Sequence, residues 1–287
     1  MRCSVSDVAG YYDRHQLLYT LFWSRAALHY GFWYDRTRRL SDAVTNTDKF
    51  VIEVLNIRSN DIVLDAGCGV AGSCIYIAKA TGARVEGITV SRVQAAIATR
   101  RIVKAKMTSH INVSQQDYTQ TNFAAETFTK IFAIEASCHA VNKHEFLSEA
   151  FRVLKPGGSI AIVDGYLTKR CLSSDEQQIY DNAIAGWLVP WLPTLAHFRE
   201  LLGSVGFTSV KFYDMQKFIW PSIRRIYYGS LLTRPFNALC AGLRLVRPNS
   251  SAYFQKLLFE KRLATYGVFV AHKLEQSEVP PRAEVTA

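Results

Sequence analysis

The 287-residue chain reads as an α/β protein: a doubly wound parallel sheet with helices on both faces, an N-terminal helical lid and a C-terminal helical cap insertion. Three observations predict this. The apolar run Ile62-Val63-Leu64 ends in Asp65, and glycines follow at 67, 69 and 72. Such a run is a buried strand entering a tight turn and then a helix, with backbone left open to a close ligand approach. From about 47 to 168, strand-length apolar segments alternate with helical patterns, the order that builds a parallel sheet. The two flanks lack that alternation and are rich in aromatic and apolar residues.

Residues 7–40 are expected to be helical. Nine aromatics fall within the 24 residues from Tyr11 to Tyr34, where the chain average of 12% gives about three. Such a segment packs onto the main domain, covers a ligand, or does both. A helix over 48–55 precedes the strand at 62–64, and the glycine loop leads into a helix over about 73–79. A strand over 84–88 follows, with Ser91 placed to cap a helix that runs to about 106. The next strands, over 111–114 and 130–134, lead to Asp117-Tyr118 and to Glu135. A helix over 143–153 stops at Lys155-Pro156-Gly157-Gly158, a helix-ending turn. A strand over 159–163 then ends at Asp164.

Aromatic-rich helices fill 169–205, and strands over 207–213 and 266–271 complete the sheet. Between them, 217–264 carries apolar stripes at helical spacing. Ile223, Ile226 and Tyr227 sit beside Arg224 and Arg225, and Phe236, Leu239, Cys240 and Leu243 repeat the pattern. These stripes are either core packing or a basic-edged, greasy mouth for a lipid-like substrate. The expected division is a lid over 1–46, a cofactor-binding core over 47–168, cap helices plus the last two strands over 169–273, and a frayed polar tail over 274–287.

The chain is 49% apolar and carries a formal net charge of +10, with its basic residues scattered in small groups. No nucleic-acid motif accompanies them, so no nucleic-acid partner is expected. The six cysteines form no C-x-x-C pair and no zinc-ligand spacing, and read as free thiols in a reducing compartment. No metal site is expected. There is no signal-like apolar segment near the start and no 18-residue apolar run. A cytoplasmic protein is expected, with peripheral membrane contact and homo-oligomerisation left open.

A glycine pattern of this kind fits a nicotinamide dinucleotide or S-adenosylmethionine. Four features favour the second. The acid Asp65 lies inside the motif, two residues before the first glycine. Ile88-Thr89-Val90-Ser91 offers no acid for a dinucleotide ribose. Asp117-Tyr118 ends the third strand, where an adenine amino group needs an acceptor and a packing neighbour. Leu154-Lys155-Pro156-Gly157-Gly158 precedes the fifth strand. With these residues, the chain from about 11 to 273 resembles a Rossmann-like class I S-adenosylmethionine-dependent methyltransferase. It is most similar to the lipid and isoprenoid branch, which includes sterol and tocopherol C-methyltransferases and cyclopropane-fatty-acid-synthase-like enzymes. Asp65-Ala66-Gly67-Cys68-Gly69-Val70-Ala71-Gly72 matches the first motif of that class. Gly87-Ile88-Thr89-Val90-Ser91 followed by Gln94 resembles the branch's second motif. The stretch from Ala133 to Ala140 is close to the fourth-strand motif of sterol methyltransferases, and Leu28-His29-Tyr30-Gly31-Phe32-Trp33 resembles the cofactor-covering segment. The aromatic-acidic motif typical of sterol enzymes is absent, with Tyr19-Thr20-Leu21-Phe22-Trp23-Ser24 nearby instead.

The resemblance implies the following roles. Asp65, Gly67, Gly69, Thr89, Val90, Gln94, Asp117, Tyr118 and Glu135 would hold S-adenosylmethionine, with Tyr30 and Trp33 closing over it. Glu135 and His139 would position the acceptor or move its proton. Tyr11, Tyr12, Trp23, Trp187 and Trp191, with Asp164, would line the pocket of a small lipophilic acceptor, isoprenoid-derived or sterol-like. Methylation of an alkene there leaves a carbocation, which aromatic faces stabilise by roughly 0.5–2 kcal/mol each. C-methylation is the favoured expectation. O- or N-methylation of a smaller natural product, and a pericyclase or non-catalytic use of the same fold, are the alternatives.

Overall fold

A computed structural model describes residues 4–22, 29–232 and 251–275 of the chain. Seven strands form one sheet: β1 (Ile62–Ala66), β2 (Arg84–Thr89), β3 (Ile111–Gln115), β4 (Phe128–Ile134), β5 (Leu154–Leu167), β6 (Thr208–Asp214) and β7 (Ala264–His272). Their order is β3-β2-β1-β4-β5-β7-β6. β1 to β5 pair in parallel, and β7 runs antiparallel to both β5 and β6. The helices among the described residues are α1 (Val5–Phe22), α2 (Leu40–Leu55), α3 (Gly72–Thr81), α4 (Arg92–Lys104), α5 (Lys143–Val153), α6 (Ser174–Ala185), α7 (Leu195–Val205), α8 (Gln216–Leu232) and α9 (Ser251–Glu260). None is long and apolar enough to cross a membrane.

The strands are buried on both faces, which is why they read as continuous apolar runs rather than alternating ones. Successive side chains still part to opposite sides. Val63, Val85, Ala161 and Val163 pack on the face that holds Val51, Leu55, Ile77 and Ile102 of α2, α3 and α4. Leu64, Ile88, Ile131, Ile160 and Ile162 pack on the face that holds Phe146, Leu147, Phe198 and Leu202 of α5 and α7. The chain leaves β1 for β2 on one side, while β4 pairs on the other. This reversal opens a crevice at the carboxyl ends of β1 and β4, where α/β sheets bind ligands.

Two expectations are corrected. Residues 7–40 are not one helical run: α1 ends at Phe22, and 29–39 is non-helical before α2 begins at Leu40, well ahead of the expected 48. The backbone of 31–33 is instead clamped between two helices. Phe32 N–H donates to Ala43 O at 2.9 Å and Trp33 N–H to Phe218 O at 2.9 Å. The Lys155-Pro156-Gly157-Gly158 turn lies within β5, as an irregularity in its pairing with β4 between Phe128↔Leu154 and Lys130↔Ser159. Gly157, at φ +76°, donates its N–H to Lys273 O at 2.9 Å, so the turn is tied to the end of β7. Ser91 caps α4 as expected, accepting from Gln94 N–H. The 233–250 part of the apolar stripe, including Phe236, Leu239, Cys240 and Leu243, lies outside the described residues, as does the tail beyond 275.

Gly31 measures how tight the clamp is. A Cβ there would lie 2.5 Å from the Ala43 carbonyl carbon and 2.6 Å from Val44 N. Gly31→Ala is expected to destabilise by about 1–3 kcal/mol in urea denaturation, because backbone cannot yield as a side chain does. Gly203→Ala is the contrasting control. This glycine lies within α7 with nothing within 4 Å of its added Cβ, so the change should stabilise by about 0.5–1 kcal/mol.

Candidate active site

The glycine turn shapes one end of the crevice. Gly67 sits at φ +105° and Gly69 at φ +52°. A Cβ on Gly67 would lie 2.4 Å from Ala136 Cβ, so this glycine is required for the strand-end packing. A Cβ on Gly69 would meet only Gln94 Nε2, at 4.0 Å, which leaves an open backbone cradle beside the cavity. The N-cap of α3, Ala71, offers no side-chain cap, so the first N–H groups of the helix have no side-chain acceptor there. Asp65, at the end of β1, is buried and accepts from Cys74 Sγ–H at 3.1 Å. Burial pushes its carboxyl up to about 7.

The second group is a buried amide and hydroxyl network. Thr89 Oγ1–H donates to Gln94 Oε1 at 3.0 Å, and Gln94 Nε2–H donates to Gln16 Oε1 at 3.0 Å. Ser91 Oγ–H donates to Asp13 Oδ1, which also accepts Val93 N–H at 3.3 Å. Asp13 and Gln16 thus fasten α1 onto the start of α4, and sequence reasoning missed both. Their only signal was a pair of polar residues three apart in an aromatic-rich helix. Asp117 Oδ1 accepts Thr119 N–H and Oγ1–H, both at 2.8 Å. Tyr118 O–H donates to Ala136 O at 2.9 Å while its ring packs edge-on against Phe146.

Glu135 lies where these groups meet. It ends β4 at φ +48°, an uncommon conformation for a residue with a Cβ, held by its N–H on Val163 O at 2.8 Å. Its Oε1 accepts Tyr30 N–H and Tyr266 O–H, each at 2.7 Å. Both bonds fall on one oxygen, leaving Oε2 without a hydrogen-bond partner among the described residues. Burial raises the carboxyl to about 8, against the lowering effect of the two donors. Tyr266, on β7 opposite Gly165, was expected only as a strand residue. Asp164 Oδ2 accepts Ser137 Oγ–H and Cys138 N–H at 2.7 Å and so holds the short turn Ser137–His139.

His139 lines the same cavity as Glu135. Its Nδ1–H faces Leu188 O at 3.3 Å, so Nε2 is the accepting nitrogen, and it receives Tyr12 O–H at 2.9 Å. Burial lowers the imidazole's affinity for a second proton, and the ring is neutral.

A cavity of about 330 Å³ runs along the glycine turn and past Glu135 and His139, within the range of small-molecule sites. Of the expected residues, Asp65, Gly67, Gly69, Thr89, Val90, Gln94, Asp117, Tyr118, Glu135, Tyr30, Tyr12, His139, Asp164 and Trp187 line it. Tyr11, Trp33 and Trp191 do not. Tyr11 packs edge-on against Tyr12, 5.4 Å between centroids. Trp33 Nε1–H is taken by Ser222 Oγ of α8 at 2.8 Å. Trp191 Nε1–H is taken by Val141 O at 2.9 Å, under the Lys143 ammonium. Their aromatic character serves packing. Trp23 lies outside the described residues.

The glycine-turn end of the cavity is polar and acidic. The opposite wall, from α6, α8, α9 and the segment after α6, is apolar through Ala183, Ile184, Val189, Leu192, Ile226 and Leu258. Among the described residues, no Lys or Arg lines the cavity, although the chain carries +10. Among the described residues, four of the five buried side-chain polar atoms that lack a hydrogen-bond partner belong to residues lining it: His29 Nε2, Tyr30 Oη, Trp187 Nε1 and Gln255 Oε1. An open backbone cradle, buried carboxyls with raised affinity for protons and no resident cation fit a cationic, nucleoside-bearing ligand such as S-adenosylmethionine.

Comparison with known proteins agrees. A profile described as a methyltransferase domain matches residues 64–162. An O-methyltransferase from Pyrenophora dematioidea is 30% identical over 225 residues, 76% of this chain and 81% of that protein. Sterol methyltransferase-like 3 from Botryococcus braunii is 32% identical over 213 residues, 74% of this chain and 54% of that protein. The chain spans about half the length of its sterol-methylating relatives. In fold, it matches the [4+2]-cyclase SpnF with a TM-score of 0.80 at 19% identity, covering 95% and 97% of the two chains. It also matches geranyl diphosphate C-methyltransferase from Streptomyces coelicolor A3(2) with a TM-score of 0.73 at 20% identity, covering 94% and 97%. The chain belongs to the class I S-adenosylmethionine-dependent methyltransferases, with sterol C-methyltransferases among its relatives.

Proposed function

We propose that this chain methylates a lipophilic, isoprenoid- or sterol-like acceptor, with carbon as the favoured atom. The observation that carries the reading is the two-part cavity, with acids and glycines at the strand ends and an apolar wall opposite. The sterol-methylating relatives support it. Bound S-adenosylmethionine supplies an activated methyl on a sulfonium cation. The backbone at Gly67 and Gly69, the Thr89–Gln94 network, Asp117, Tyr118 and Tyr30 would hold the cofactor, and α1 with 29–34 would exclude water from it.

The chain's own part in the chemistry is orientation and proton handling. Glu135 Oε2 is the group placed to take a proton from the acceptor, because Oε1 is committed to Tyr30 and Tyr266. A carboxyl raised to about 8 is near the optimum for exchanging protons at neutral pH. Tyr12 and Trp187 would present aromatic faces to positive charge that develops on the acceptor. The first test is calorimetric titration with S-adenosylmethionine, then a methyl-labelled cofactor with a panel of sterols, prenyl alcohols and phenols. Absence of cofactor binding would sink the reading.

Two further outcomes are expected. Glu135→Gln should lower kcat at saturating cofactor by about 10²–10⁴, whereas Tyr266→Phe, which removes only one positioning bond, should cost less. A variant of Glu135 with wild-type kcat would assign the proton elsewhere. The second concerns pH. Asp65 and Glu135 have folded values raised above their unfolded ones, so their neutral forms stabilise the fold. That contribution is complete below about pH 4 and is lost as pH rises through about 7 and about 8. A cation bound beside them favours the ionised forms. The melting temperature of the free protein should therefore fall from pH 6 to 9, while the rise given by saturating S-adenosylmethionine grows. Glu135→Gln should flatten both trends.

A further inference from the structure

Helix α8 (Gln216–Leu232) divides into two faces. Lys217, Arg224, Arg225, Tyr228, Leu231 and Leu232 are all exposed, and at about 100° per residue they fall within an arc of about 120°. The buried residues Ile219, Ser222 and Ile223 lie on the opposite side, as does Ile226, which lines the cavity. The solvent side of such a helix is ordinarily polar, with charges of both signs. This one carries three cations, three large apolar or aromatic side chains and no acid. Leu232 is 84% exposed and Tyr228 57%. The Tyr227 ring lies 5.2 Å from that of Tyr228 and 6.2 Å from that of Tyr253, so the aromatic surface continues onto α9, where Tyr253 is also exposed. Four of the ten exposed large hydrophobics among the described residues belong to these two helices, which makes a patch rather than scatter. None of the three cations forms an ion pair among the described residues. Between Asp214 and Glu260 the sequence has seven Lys or Arg and no acid, so most of the net charge of +10 arises in this stretch.

We propose that this face of α8, extended by Tyr253, docks on the surface of an anionic lipid bilayer. The proposal goes beyond the methyltransferase reading, which requires no membrane. Arginine and lysine meet lipid phosphates and anionic headgroups, while leucine and tyrosine enter the boundary between headgroups and acyl chains. Tyrosine suits that boundary because its ring is apolar and its tip is polar. A second copy of this chain fits less well, since a two-fold contact on this face sets cations against cations. A nucleic acid would use the cations but give the exposed leucines no apolar partner. Ile226 is on the opposite side of the same helix and lines the cavity. Docking therefore brings the apolar wall of the cavity to within about 10–12 Å of the bilayer, the diameter of one helix. A lipophilic acceptor could then reach the cavity from the membrane rather than from water.

The test is co-sedimentation of the full chain with vesicles of phosphatidylcholine alone or with about 30% phosphatidylserine. The anionic vesicles should bind at least about tenfold more tightly. Arg224→Gln with Arg225→Gln should weaken that binding about twenty- to thirtyfold, and Leu232→Ser about tenfold. Arg38→Gln with Arg39→Gln removes the same charge from another exposed cluster and should change it by less than about threefold. All these variants should melt within about 2 °C of the wild type, because the altered side chains are exposed. None of the altered residues lines the cavity, so affinity for S-adenosylmethionine should stay within about twofold. That titration reports on the methyltransferase reading separately from the vesicle result. Equal binding to the two vesicles, or equal losses from the two arginine pairs, would overturn the docking face. Binding that depends on Arg224 and Arg225 but is unchanged by Leu232→Ser would also overturn it and assign the face to a soluble polyanion.

Discussion

The Glu135 carboxylate joins three parts of the chain that are far apart in sequence. Its Oε1 receives the backbone N–H of Tyr30 and the phenol of Tyr266, both at 2.7 Å. The first ties the N-terminal segment to the end of β4, and the second ties β7 to the same point. Around this junction the other contacts fall into place. Tyr30 and Tyr266 meet edge to face, 5.5 Å between centroids, and the clamp of Gly31, Phe32 and Trp33 between α2 and α8 continues from Tyr30. A carboxyl that must be desolvated to make these bonds retains a proton more readily than usual, and that is the property a proton-transfer group requires.

The same desolvation explains how a basic protein can build an acidic cavity. Lys143 is a buried exception among its cations, with its ammonium donating to Cys138 O and Ala140 O. The crevice at the strand ends collects Asp65, Asp117, Glu135 and Asp164, and no lysine or arginine enters among the described residues. In the low-dielectric interior an unpaired anion is costly, so burial raises two of these carboxyls toward neutrality, Asp65 to about 7 and Glu135 to about 8. A sulfonium ligand would restore their charge, coupling cofactor binding to local stability.

The sheet and the cofactor half were legible because they are written in local patterns. Continuous apolar runs, the glycines at 67 and 69 and the Ser91 cap each act within a few residues, and the strands at 62, 84, 111, 130 and 159 were found within a few residues of their bounds. What was not legible depends on partners far along the chain. Nothing in the sequence places Tyr266 against Glu135, Asp13 against Ser91, or Gln16 against Gln94. The aromatic count in the N-terminal segment was real, but it does not distinguish a ring that faces a ligand from one that fills a gap. Tyr12 and Tyr30 reach the cavity, while Trp33 is spent on Ser222. The early start of α2 was missed because Arg39 offers no side-chain cap and the tertiary clamp at Gly31 sets the break.

Fold alone leaves the reaction open, since a cyclase and a methyltransferase share this sheet at under 25% identity. The distinction must come from the wall opposite the cofactor half.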